Sequence, residues 1–196
     1  AILAHLTDFH RHNLNPKLLT RTPPLSDLFI DYLASVSSYL TQYYPAGSYA
    51  TNHPVTVFQN YYQHCLLPSI QRHEGPLPPQ TSALIPFAFL YDNDALKNSV
   101  LTVFHYPTII EGLLPNPHLA DTLYDIAAYL SQNTKLSSTV YANFLSELSQ
   151  QILDAPECHH TKLLYKIIAL IKQAPSSKLL SSYSVNFLLV SLYTQS

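Results

Sequence analysis

From Asn116 to the C-terminus the sequence carries four apolar stripes of helical period, beginning near Pro117, Ser138, Glu157 and Ser177. Each starts about twenty residues after the last, and the gaps between them are only a few residues long. Gaps that short fold neighbouring helices back on one another, so this half reads as two helical hairpins stacked side by side. The third stripe is the most apolar, with Leu163, Leu164, Ile167, Ile168 and Ile171 set against Lys162, Lys166 and Lys172.

The first half continues in the same idiom. Leu3, Leu6 and Phe9 space a helix over residues 1–11, and Asn15-Pro16 opens a short helical turn to Leu19. Ser26 and Asp27 are a helix start, the hydroxyl capping free N–H groups and the carboxylate matching the positive end of the helix. Phe29, Tyr32, Leu33, Val36, Tyr39, Leu40 and Tyr43 then carry the periodicity to Tyr43. Thr51 or Asn52 is expected to cap a helix at Pro54 that runs to Leu67, where Pro68 kinks or ends it. Thr81–Tyr91 reads as helix in two pieces around Pro86. A helix capped by Asp92 or Asn93 follows to His105, and a short one starts at Pro107 and ends near Leu114.

No segment alternates with the period of a strand, and no Asn-Gly or Asp-Gly hairpin signal occurs. The expected fold is all-α, with about nine antiparallel helices. They form either a stack of helical hairpins resembling HEAT or armadillo superhelices in repeat length, or a compact helical bundle. The hairpin period carries no shared residue signature, so the repeat reading rests on spacing. The clearest break is the proline-rich stretch 73–80, which divides an N-terminal helical part (1–72) from a C-terminal one (81–196) within one continuous domain. Such a stretch can also be a polyproline ligand, although a plain connector is the simpler reading. The first residues look like the middle of a helix, so the chain reads as a piece of a longer protein.

Function is constrained more by what is missing. The only glycines are Gly47, Gly75 and Gly112, which form neither a dinucleotide-binding nor a phosphate-binding loop, and no nucleophile-elbow motif exists. The Lys and Arg residues stand singly in a chain of net charge −2, which argues against nucleic-acid binding. Residues 179–196 contain no charge, but their serines, asparagine and glutamine break the apolar run. A buried helix is favoured over a transmembrane segment or a peripheral membrane anchor. Two cysteines without a CxxC pair fit a reduced, intracellular protein, cytoplasmic or nuclear.

Three clusters could carry chemistry. His64-Cys65 with Cys158-His159-His160 offers zinc-type ligands, but adjacent helical residues point about 100° apart and do not converge on one ion. The competing reading is buried cysteines with partly exposed histidines at helix ends, so no metal or other cofactor is expected. His5, Asp8, His10 and His12 could orient an imidazole, or simply form a solvated face. Asp27/Asp31 and Asp121/Asp125 are paired at i, i+4 near helix starts, where the helix dipole alone explains them.

Only 11% of residues are charged, against about 25% in ordinary domains, and 15 tyrosines help to fill the gap. Tyrosine gives large contact area and a hydrogen bond at small entropy cost, so interfaces select it. The expectation is a non-enzymatic protein–protein interaction module, a scaffold or complex subunit, with Tyr43, Tyr44, Tyr61 and Tyr62 meeting a partner peptide or helix. Low charge also permits homo-oligomers. The alternatives are a metal- or cysteine/histidine-based enzyme centred on Cys158-His159-His160, and a peripheral membrane-binding helical domain.

Overall fold

The computed structural model describes residues 25–133, 138–155, 160–173 and 190. Among these every regular element is helical, and eight helices are present. The expected opening helix (1–11), the turn at Asn15–Leu19 and the fourth regular helix from Ser177 lie outside the described residues. The chain divides into two compact units, Ala1–Phe104 and His105–Ser196. The proline-rich stretch therefore lies inside the first unit, where the sequence placed the main division.

In the first unit, α1 (Asp27–Tyr43) begins where expected, with the Ser26 hydroxyl accepting from the Phe29 amide at 3.4 Å. Its buried line is Ile30, Leu33, Val36, Ser37 and Leu40. That line follows the helical repeat closely. Leu33, Val36 and Leu40 belong to the stripe read from the sequence, and Ile30 and Ser37 shift its centre away from Tyr32, Tyr39 and Tyr43. The second helix, α2, runs through Pro54–Tyr61, a π-turn at Tyr62–Leu66 and a closing segment Leu67–Gln71.

Of the two outcomes expected at Pro68, an end or a kink, the end does not occur; the helix becomes irregular just before the proline. Proline lacks an N–H, and its ring crowds the carbonyl four residues back. The turn before it widens instead, so that the Leu67 amide donates to the Tyr62 carbonyl five residues earlier. The helix then passes the ring and continues to Gln71. The Ser69 hydroxyl donates to the Cys65 carbonyl at 2.8 Å and ties the two sides of the irregular segment together.

A connector follows in which Gly75 holds a φ of +97°, a conformation that L side chains rarely adopt. The 3-10 segment Pro79–Leu84 then runs into α3 (Ile85–Leu90), the two-piece helix expected around Pro86. Asn93, one of the two expected caps, accepts from the Leu96 amide at 3.0 Å and starts α4 (Asp94–Val103). Helix α1 packs on the 3-10 segment and α3, while the π-turn and the end of α2 pack on α4.

The second unit holds α5 (Tyr106–Leu113), α6 (Pro117–Gln132), α7 (Ser138–Asp154) and α8 (His160–Gln173). Asn116 caps α6 through its side-chain oxygen, and Pro117 follows in the first turn, where its missing donor costs nothing. Helix α6 buries Ala120, Leu123, Ile126, Ala127 and Leu130 and packs against α5, α7 and α8. It is the centre of this unit. Its packing on α7 is what the first expected hairpin requires. Tyr141, Phe144, Leu145, Leu148 and Ile152 of α7 and Leu163, Leu164, Ile167 and Ile171 of α8 supply the rest of the core.

Charge adds little here. The Asp121 carboxylate receives a 2.7 Å hydrogen bond from the ammonium of Lys166 on α8. Both groups are substantially exposed, so the pair stabilises weakly. Phe144, by contrast, is fully buried and packs edge-on against Tyr106 at 5.5 Å. Phe144→Ala is expected to destabilise by about 3–5 kcal/mol, and Asp121→Asn by at most about 0.5 kcal/mol. Urea unfolding of the two variants measures both values. Equal losses would contradict this division between core and surface.

Candidate interaction surface

Aromatic rings dominate the first unit, and their positions decide which of them can meet a partner. A continuous chain of rings starts where α1 ends. Tyr44 meets His53 edge-on at 4.7 Å, and His53 stacks on Tyr49 at 4.3 Å. Tyr49 touches Tyr91 at 5.8 Å, and Tyr91 touches Phe87 at 5.0 Å. Phe87 meets Phe58 at 4.8 Å, and Phe58 lies against both Tyr61 and Tyr62. Edge-on and offset contacts of this kind are favourable because a ring's positive rim faces a neighbour's negative face.

Two polar contacts lock the outer end of this chain. The Tyr91 hydroxyl donates to the Leu40 carbonyl at 3.0 Å and also faces the Tyr44 carbonyl at 3.2 Å. Both carbonyls sit at the C-terminal end of α1, where the Leu40 carbonyl also accepts from the Tyr44 amide at 3.0 Å. At the other side of the loop, His53 caps α2. Its Nδ1 accepts from the Val55 amide at 3.2 Å, so the ring carries its hydrogen on Nε2. The sequence placed this cap on Thr51 or Asn52. Proline at the first helical position makes the residue just before it the cap, and that residue is His53. The Tyr49 hydroxyl closes the loop by donating to the Pro45 carbonyl at 2.7 Å.

The four tyrosines expected to form a contact face separate on this frame. Tyr62 is 0% exposed and Tyr61 4%, and both belong to the core. They follow Phe58 on the inner side of α2, so their rings fill the unit and present nothing to a partner. The Tyr62 hydroxyl has no hydrogen-bond partner among the described residues. Burial pushes its pKa up, and it does the same for Tyr61, with the nearby Cys65 adding to the effect. Tyr44 is half-buried and committed to the ring chain. Only Tyr43, 60% exposed, holds its ring mainly in solvent, leaning on Tyr39 at 4.6 Å.

Tyr43 has company on the outer side of α1. Leu28 is 84% exposed, and Tyr32 is also open to solvent. At 100° per residue, positions 28, 32, 39 and 43 fall within about 60° of one another, so these side chains share one face. Leu28 went unnoticed in the sequence because it lies one residue from the buried stripe. Its exposure follows from the rotation of that stripe onto Ile30, Leu33 and Ser37. On the second unit the large exposed ring is Tyr165 of α8.

The zinc-type ligands do not assemble among the described residues. His64 is exposed and Cys65 half-buried on the π-turn, and burial raises the Cys65 thiol pKa, which disfavours the thiolate that metal binding needs. Cys158 and His159 lie outside the described residues, as do His5, Asp8, His10 and His12. His160 is buried, not partly exposed as expected, and its Nε2–H donates to the Leu114 carbonyl at 3.2 Å. That carbonyl is at the end of α5, so the imidazole completes a helix terminus. Among the described residues no group of three His, Cys, Asp or Glu side chains could hold a metal ion, and no helix is long and apolar enough to cross a membrane.

Two measurements test this frame. Burial, followed by the proximity of Tyr49 and Tyr44, pushes Tyr91 up to about 12 from an ordinary value of 10.0. A phenol whose pKa is raised by folding contributes stability that is fully present below its unfolded pKa. That stability is lost as pH rises from about 10 to about 12. A phenolate absorbance titration should therefore lose a late-titrating group in Tyr91→Phe; an unchanged curve would contradict the assignment. His53→Ala removes the cap and should destabilise by about 1 kcal/mol, whereas His53→Asn restores an acceptor and should recover most of it. Equal loss in the two variants, measured by thermal unfolding, would show that His53 acts by ring packing and not by capping.

No family model, curated protein or solved structure matches this chain.

Proposed function

We propose that the protein is a non-enzymatic interaction module that binds a partner helix or peptide along the outer face of α1. The observation that carries this reading is the exposure of Leu28 and Tyr43, at 84% and 60%, on one side of a helix whose opposite side is fully packed. A leucine left open at that level gains nothing from folding alone, and tyrosines beside it are the residue type that protein contacts favour. The low fraction of charged residues points the same way, since interface centres are depleted of charge. The spacing of the later helices and the packing of α6 on α7 support the companion reading of a hairpin-stacked scaffold.

The contact face differs from the one read in the sequence. Tyr43 remains, Leu28 and Tyr39 join it, and the buried Tyr61 and Tyr62 leave it. A partner helix laid along this face would meet side chains at helical spacing, the recognition mode of amphipathic helices in grooves.

The test is affinity capture from native extract with the whole chain as bait, using Leu28→Ser combined with Tyr43→Ser. Unchanged helical circular dichroism must first establish that the double variant is folded. The wild type is expected to retain a stoichiometric partner and the variant to bind it about tenfold more weakly or worse. Tyr165→Ser, on the second unit, should bind like the wild type. Equal capture by wild type and double variant would refute the α1 face, and a wild type that recovers nothing would refute the module itself.

A further inference from the structure

We draw no further inference here: the strongest candidate, the outward face of α1 carrying Leu28, Tyr39 and Tyr43, is the surface already described, and nothing in the structure shows what covers it.

Discussion

Helix ends are the point on which both units depend. An α-helix leaves its last carbonyls without partners, and a common remedy is a glycine just past the end that turns the chain back on itself. This protein has three glycines in 196 residues, and no described helix is followed directly by one. Side chains from distant positions add hydrogen bonds at two of these ends. The Leu40 carbonyl at the end of α1 accepts from the Tyr44 amide and from the Tyr91 hydroxyl, which also faces the Tyr44 carbonyl, and His160 donates to the Leu114 carbonyl at the end of α5. Each contact reaches a helix terminus and ties two elements together across the core of its unit.

This constraint shapes the use of tyrosine. A buried phenol with a partner anchors structure, and one without a partner is chiefly a large apolar ring with a desolvated hydroxyl. Tyr91 is of the first kind; Tyr62 and Tyr141 are of the second, each buried with no hydrogen-bond partner among the described residues. Their common chemistry hides three different roles, because Tyr43 and Tyr39 belong to the solvent side of α1. Abundance alone therefore could not rank tyrosines as contact residues. The deciding quantity is where each ring falls relative to the line of Ile30, Leu33 and Leu40, or of Phe58 and Leu66.

Local signals explain how much of the fold was legible in the sequence. Ser26 and Asn93 cap the helices they were expected to cap, and prolines in first turns place α2, α5 and α6. Such features act within a few residues, so sequence order suffices to read them. The passage of α2 beyond Pro68 was not legible, because proline leaves either an end or an irregular turn open, and the chain takes the widened turn. Nor were the Tyr91 and His160 contacts, whose partners lie about fifty residues away in sequence. The candidate face was half legible: Tyr43 was named, but Leu28 needed the observed rotation of α1.

The interaction reading rests on a frame held by aromatic side chains, so the frame itself is the claim to test first. The most direct measurement compares the urea unfolding free energies of Tyr91→Phe and Tyr62→Phe. Both remove one hydroxyl from a fully buried ring, and they differ in whether that hydroxyl has a partner. The account predicts that Tyr91→Phe loses about 1 kcal/mol or more, while Tyr62→Phe is unchanged or slightly stabilised. Similar losses in the two variants, or an undiminished Tyr91→Phe, would contradict it.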